Sequence, residues 1–165
     1  MTAKIGAAKI IGLVTLGVIL SAALCAAQGS CPWVNAATVV DAPDSTVSDI
    51  QTSVADAGNL CTFRYRKSDG LYNVQIAVRA AAGDGHETAA DEAQCKSAKM
   101  PLPHIANEAV LCSTGAHRER VIGRVRDKIF IVNVDARIEH GSTDTEKSLG
   151  AMATLIAGQV AGNLF

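Results

Sequence analysis

Histidines are the first residues whose chemistry could form a site, because an imidazole binds metal ions and exchanges protons near neutral pH. The four of them, His86, His104, His117 and His140, are far apart in the sequence. None is paired at the spacing that places two ligands on one helical turn, and no His-Glu motif occurs. We therefore expect neither a metal site nor a cofactor.

Residues for nucleophilic or acid–base catalysis are not arranged in a recognisable pattern either. No Gly-x-Ser-x-Gly segment is present, and a cysteine enzyme needs a thiolate beside a base. Carboxylates cluster at residues 84–92 and 144–146, but both clusters fall at the starts of predicted helices, where negative charge is favourable. We therefore expect a protein that is not an enzyme, with a hydrolase as the least favoured alternative.

The cysteines are better explained as structural disulfides than as catalytic groups. The chain begins with Lys4 and Lys9, an apolar stretch at residues 10–20 and small residues up to Ala27, which is typical of a secretory signal peptide. Cleavage after Ala27 removes Cys25 and leaves four cysteines, and an exported chain with four cysteines most simply carries two disulfides. We expect residues 1–27 to be the signal peptide and residues 28–165 to be a single disulfide-linked domain that is secreted or held in the periplasm or cell envelope.

Two other interpretations of the N-terminal segment stay open. An uncleaved membrane anchor needs ~20 apolar residues, and residues 10–27 are slightly short of that length. Lipidation at Cys25 is typical of a cysteine that follows a small residue, whereas Leu24 precedes this one. In both cases the membrane would be contacted only through this segment.

The charge of residues 28–165 argues against one class of partner. Loss of Lys4 and Lys9 leaves 13 basic and 16 acidic residues. A net-acidic domain without a basic tract offers no electrostatic footprint for nucleic acid, so we expect no such partner.

Two segments of the chain repeat one pattern. Residues 69–79 and 127–137 both run from Asp to Arg and alternate apolar with polar residues at a constant offset of 58. This alternation predicts strands with one buried face. A Leu-Cys pair followed by a hydroxyl residue precedes each copy, at Leu60-Cys61-Thr62 and Leu111-Cys112-Ser113. Of the three possible pairings, the duplication favours disulfides Cys31–Cys61 and Cys95–Cys112.

The pattern of elements predicts an α+β domain. We expect an antiparallel sheet of about five strands built from a duplicated hairpin unit, with helices packed on one face. Helices are predicted at residues 31–40, at 88–100 with Thr88 as N-cap, and after Thr143. The last helix should bury a stripe of apolar residues: Leu149, Met152, Ala153, Ile156, Val160 and Leu164.

Three finer expectations concern local packing. Residues 45–58 are ambiguous between helix and loop. A turn centred on Asp127-Lys128 would place Gly123 opposite Val132 and Val125 opposite Phe130. We interpret Gly158-x-x-x-Gly162 as close packing of the last helix on the sheet.

Most of the chain after residue 27 carries a resemblance to known families. Cys31-Pro-Trp, Thr38-Val, the step from Gly58 to Cys61-Thr-Phe63 and the second cysteine pair resemble actinobacterial secreted lipoproteins of unknown function and the extracellular sensor domains of some bacterial kinases. The resemblance implies an envelope protein with two disulfides. It implies no catalytic residues.

One surface suggests a function. If the hairpins share a sheet, the face away from the core carries Arg64, Arg79 and Arg124 beside exposed Ile122 and Ile131. Guanidinium groups suit carboxylate or phosphate, and exposed isoleucine beside arginine suits a partner. We interpret this face as a ligand or partner site of a non-enzymatic binding or sensor-like module that recognises an envelope protein or an anionic wall or lipid component. The alternative is a secreted inhibitor of a hydrolase that presents a loop at residues 113–120.

Overall fold

A computed structural model of the chain describes residues 30–40, 47–83, 87–139 and 145–165. The predicted signal peptide, with Cys25, lies outside the described residues, as do His86, His140 and Thr143. The described residues form an α+β fold with one antiparallel sheet of seven strands, so the fold class is confirmed and the expected count of about five strands is too low. In chain order the elements are α1 (Ala36–Val40), β1 (Ser48–Ala55), β2 (Leu60–Lys67), β3 (Gly70–Ala80), α2 (Ala89–Glu92), β4 (Met100–Pro101), β5 (Glu108–Gly115), β6 (Arg118–Val125), β7 (Lys128–Ile138) and α3 (Thr145–Leu164).

The two segments that echo each other lie side by side in the centre of the sheet. The strand order is β1-β2-β3-β7-β6-β5-β4, and β3 runs antiparallel to β7 with Val74 opposite Val134. Both bounds of β6 and of β7 follow those of β2 and β3 by 58 residues. The Leu-Cys steps do not share this correspondence, since Cys61 lies in β2 and Cys112 in β5.

The hairpin of β6 and β7 has a register two residues away from the expected one. Gly123 lies opposite Phe130 and Val121 opposite Val132, around a turn at Arg126-Asp127 in which Arg126 has a φ of 53°. A Cβ atom on residue 123 would overlap the Phe130 ring, so glycine is required at this contact. A slip of two residues leaves every side chain on its predicted face, which is why the faces were right and the partners wrong.

Alternation along the strands separates two faces of the sheet. The inner face packs against α3 and carries buried side chains that include Phe63, Val74, Val121, Phe130 and Val132. The outer face is opposite. It carries Arg64 and Thr62 from β2, and mostly polar residues from the strands beyond: Asn73, Gln75, Asn133, Asp135, Arg118 and Arg120.

Helix α3 covers the inner face much as its apolar stripe predicts. Leu149, Ala153, Ile156 and Val160 are fully buried and Met152 nearly so, whereas Leu164 at the end is only partly buried. Gly158 and Gly162 are exposed, and no neighbouring atom lies within reach of a Cβ at either position. The interpretation of these glycines as a close-packing motif on the sheet is therefore wrong.

The N-terminal helix is shorter than predicted. It covers only Ala36–Val40, and the Asn35 carboxamide oxygen caps it by accepting from the Thr38 amide at 2.8 Å. Its end is held to the inner face by the Tyr65 hydroxyl, which donates to the Val39 carbonyl at 3.3 Å. The Asn163 side chain of α3 donates to the Trp33 carbonyl at 2.7 Å, so the first and last described segments meet.

Two connections differ from expectation. The ambiguous segment contains the edge strand β1, in which Asp49 has a φ of 57° beside an irregularity in the pairing with β2. The segment expected to present an inhibitory loop forms the tight hairpin of β5 and β6, where the Ser113 hydroxyl donates to the Gly115 carbonyl at 2.9 Å. A protruding loop is therefore not formed at residues 113–120.

The middle helix departs most from the prediction. Only one turn forms, at Ala89–Glu92, and the Thr88 side chain makes no cap hydrogen bond. Residues 87–99, which we call the strap, lie over the outer face, so the expectation that all helices pack on one face is wrong. The reason is local bonding, because Asp91 binds an arginine and Cys95 is bonded to β5 instead of continuing a helix.

Two disulfides join the pairs expected from the sequence. Cys31–Cys61 ties the N-terminal segment to β2 across a Cα–Cα distance of 5.8 Å, and Cys95–Cys112 ties the strap to β5 across 5.6 Å. Paired cysteines indicate an oxidising compartment. Within the described residues, no helix combines the length and the apolar character that crossing a membrane requires.

Candidate ligand-binding site

The strap divides the outer face into a covered part and an open part. In the covered part, Arg79 Nη2 donates to the Glu87 carbonyl at 2.9 Å and to Asp91 Oδ2 at 2.5 Å. Arg124 Nη1 lies 4.0 Å from Glu87 Oε2. Ile122 is only 1% exposed, so it is not the exposed apolar residue that was expected. Arg79 and Arg124 therefore hold the strap in place.

Further bonds within the strap fix its shape. The Glu92 carboxylate accepts from Lys99 Nζ at 2.7 Å and from the Thr88 hydroxyl at 2.8 Å. The bond from Lys99, and next the bond from Thr88, hold the pKa of the Glu92 carboxyl below its usual value. The Lys96 amide donates to the Ser113 carbonyl at 2.8 Å beside the Cys95–Cys112 disulfide. The strap is thus anchored at both ends.

A polar cleft of about 610 Å³ lies where the strap ends and the open part begins. Its floor includes Arg118 and Arg120 of β6 with Gln75 and Asn133, and Lys96 stands in the strap wall. Arg120 Nε donates to Asn133 Oδ1 at 2.6 Å, which orients its guanidinium group. A basic, amide-rich cleft of this kind can bind an anion by charge-assisted hydrogen bonds.

A second cleft of about 280 Å³ continues from the first, because Arg118 and Asp135 line both. Arg118 Nε donates to Asp135 Oδ1 at 3.0 Å, and the Arg118 side chain is 64% exposed. Arg64 and Arg137 also line this second cleft, and both are exposed. We call the continuous depression the basic groove, with five basic residues: Arg64, Lys96, Arg118, Arg120 and Arg137.

The charge of the basic groove is poorly balanced. Asp135 is the one carboxylate among the described residues that line the two clefts. Side chains of Arg64, Lys96 and Arg137 form no ion pair with any described residue. The groove therefore combines like charges whose repulsion an anionic ligand would relieve.

A tyrosine pair supports the hairpin that carries Arg64. The rings of Tyr65 and Tyr72 stack on the inner face with centroids 5.4 Å apart, and the Tyr72 hydroxyl donates to Asp69 Oδ2 at 2.7 Å. Burial, and next the bond to the Asp69 carboxylate, raise the pKa of the Tyr72 phenol. This cluster holds the β2–β3 turn from the inner face, and Tyr72 also borders the second cleft.

Of the three arginines expected on the outer face, only Arg64 lines the groove. Sequence reasoning missed Arg118 because residues 114–119, within the segment expected to present a loop, were not assigned to a strand. It missed Arg137 although this residue holds the position of Arg79 in the repeat. Because β3 and β7 are antiparallel, the two equivalent arginines lie at opposite ends of the outer face, one under the strap and one in the groove.

Comparisons of the chain with protein-family models, with curated proteins and with solved structures gave no match. The resemblance to actinobacterial secreted lipoproteins and kinase sensor domains thus stays a prediction. The described residues hold no group of three or more His, Cys, Asp or Glu side chains placed to bind a metal ion. What the site can do follows from its own geometry.

Proposed function

We propose that the protein is an exported cell-envelope protein and acts as a non-enzymatic binding or sensor-like module whose ligand site is the basic groove. The observation that carries this proposal is the gathering of five basic side chains around Asp135 in a domain that is net acidic outside residues 1–27. Positive charge that is concentrated in one groove, although the domain as a whole is negative, suits recognition of an anionic partner in the envelope.

Arg64 and Arg137 line the groove without an ion-pair partner among the described residues. An exposed arginine contributes little to folding, since surface ion pairs are worth ~0–1 kcal/mol and unpaired ones less. An anion in the groove would gain charge-assisted hydrogen bonds from the unpaired Arg64 and Arg137, and from Arg118 and Arg120, which Asp135 and Asn133 already orient. Binding is therefore the role in which these residues contribute most.

Export is supported by two independent features. The first 27 residues have the signal pattern, and the described domain contains two disulfides that an oxidising compartment would preserve. We also propose that the hairpins β2–β3 and β6–β7 arose by internal duplication. The constant offset of 58 residues between their bounds supports this origin.

The test compares partner binding by the wild type and by a variant whose groove lacks two arginines. The protein would be crosslinked in envelope extract, and the captured component identified and titrated by a binding assay. Arg64→Ser with Arg137→Ser should weaken binding about tenfold or more, equivalent to ~1.4 kcal/mol. The matched control is Arg126→Ser with Lys128→Ser, which removes the same charge at the β6–β7 turn and should bind normally. Equal binding by the groove variant and the wild type would show that the site lies elsewhere.

A further inference from the structure

The covered part of the outer face indicates which anion its arginines accept. There the strap brings the Asp91 carboxylate to Arg79 and the Glu87 carboxylate near Arg124. Beyond the strap the same face continues with Arg118, Arg64 and Arg137, but the described chain supplies only Asp135 to them. In the covered part, carboxylates of the strap lie beside outer-face arginines. A ligand that carries carboxylates would meet the arginines of the groove in the same way.

The spread of the cations indicates an extended ligand. Arg64 lies on β2 and Arg118 on β6, with β3 and β7 between them. Three strand spacings separate these arginines by about 14 Å, at ~4.8 Å a spacing, and Lys96 lies beyond β6 on the strap. One small anion cannot reach all of them. The ligand must therefore carry several anionic groups along a chain.

The side chains between the cations indicate the rest of the ligand's chemistry. Asn73, Gln75, Asn133 and Thr114 offer amide and hydroxyl groups, which both donate and accept hydrogen bonds. The outer-face positions of the described strands carry no aromatic side chain, and Tyr72, which borders the second cleft, is only 6% exposed, so the bases of a nucleic acid would have no open ring to stack on. Leu71, 36% exposed, is the large apolar side chain in the groove, which is too little to anchor lipid chains or apolar peptide side chains.

We infer that the basic groove binds a linear acidic polysaccharide whose sugar units carry carboxylates. The inference rests on the proposed function and specifies its ligand class. Sugar hydroxyls meet the amide groups of the floor, and successive carboxylates meet Arg64, Arg137, Arg118 and Lys96. An acidic peptide offers the same charges without the hydroxyls, and a polyphosphate offers charges without carboxylates.

The experiment is calorimetric titration of the whole mature protein with galacturonic acid and its oligomers of increasing length. Affinity should rise with length until an oligomer reaches from Arg64 past Arg118 to Lys96, a span of more than ~14 Å, and the monomer should bind at least about tenfold more weakly than the spanning oligomer. Poly-glutamate and polyphosphate of similar length and charge should bind more weakly than the oligouronate. Equal or tighter binding of either polymer, or equal affinity for the monomer, would overturn the saccharide inference.

Variants separate this inference from the proposed function. Arg64→Ser with Arg137→Ser should lose about tenfold in affinity for the spanning oligomer, while Arg126→Ser with Lys128→Ser should not. Equal losses in both variants would mean nonspecific charge attraction and would overturn the inference. If oligouronates do not bind but the envelope partner still requires Arg64 and Arg137, the saccharide inference fails and the proposed function stands. If the envelope partner is indifferent to these residues, the proposed function fails.

Discussion

The ring of Phe130 lies against the α-carbon of Gly123, in the space that a Cβ atom at position 123 would occupy. Both residues are buried, and they face each other across the β6–β7 pair. This contact belongs to the register that the structure adopts. It explains why a strand rich in branched and charged residues contains one glycine.

Replacement of Gly123 by alanine should destabilise the protein, because the added methyl group must displace a fully buried ring. Overpacking of this kind costs ~1–3 kcal/mol, measured as a shift in the urea midpoint. The matched control is Gly158→Ala at an exposed position of α3, which should stabilise by up to ~1 kcal/mol because alanine favours helix. A neutral Gly123→Ala would contradict the contact. Coupling between Gly123→Ala and Phe130→Leu would localise the cost to this pair.

The sequence predicts the central strands of the sheet and their buried faces, but not the strand register or the edge strand. Alternation identified β2, β3, β6 and β7 because each has one buried face. It did not distinguish registers two residues apart, since both bury the same side chains. It missed β1 because an edge strand with Ser, Gln and Thr on it need not alternate in hydrophobicity. It overextended the middle helix because alanine-rich sequence favours helix, while the disulfide and the Arg79–Asp91 bond decide otherwise.

Tyr72 should resist ionisation in alkaline solution. Its raised pKa means that the neutral phenol stabilises the fold fully below the unfolded value of about 10, and that this stabilisation is lost as the pH rises above it. In a Tyr65→Phe variant, Tyr72 is the remaining tyrosine of the two in the chain, so tyrosinate absorbance reports on it alone. We expect almost no tyrosinate signal at pH 10 in the folded protein and about half ionisation in denaturant. Half ionisation in the folded state would contradict the buried bond to Asp69.

Glu92 should make the strap sensitive to acid. Its folded pKa is lowered, so its bonds stabilise the strap above the ordinary value of 4.5 and are lost as the pH falls through the folded value. Amide hydrogen exchange of residues 87–99 should therefore accelerate on acidification after correction for intrinsic rates. Glu92→Gln should remove most of this pH dependence while the exchange of β3 and β7 stays unchanged. A strap whose corrected exchange does not respond to pH would exclude this role.

Removal of the Cys95–Cys112 disulfide should loosen the strap without unfolding the sheet. The bond closes a loop with a sequence separation of 17, which corresponds to ~3 kcal/mol in the chain-entropy estimate. Cys95→Ala with Cys112→Ala should lower the unfolding free energy by about this amount and admit proteases within residues 87–99. Peptide mapping without reduction provides the check on connectivity. A Cys61–Cys112 bridge would contradict the structure, because these residues lie on opposite faces of the sheet.

The N-terminal segment should be absent from the exported protein. Expression in a bacterial host with a secretory pathway should give a product that begins at Gln28, with four cysteines and no free thiol. Intact mass before and after alkylation measures both. A product that retains Met1, or that carries a diacylglycerol group on Cys25, would favour an anchor or lipidation instead of cleavage.

The candidate site was harder to predict than the sheet. Arg64 could be assigned from alternation alone, because its strand is regular. Whether an outward arginine is free depends on what crosses the face, and the strap that binds Arg79 and Arg124 brings together residues distant in the sequence. The pairing of β3 with β7 is equally nonlocal, and it is this pairing that places Arg137 in the same groove as Arg64.

The central position of β3 and β7 has a consequence for the order in which the protein can fold. β3 ends at Ala80 and its partner β7 begins at Lys128, so the middle of the sheet forms only after a long intervening segment is closed, which slows folding. The inner face then stays uncovered until the 20 residues of α3 arrive at the end of the chain. During synthesis this face would stay open until α3 is made, and a fragment that stops before Thr145 would expose Phe130 and Val132 to chaperones and proteases.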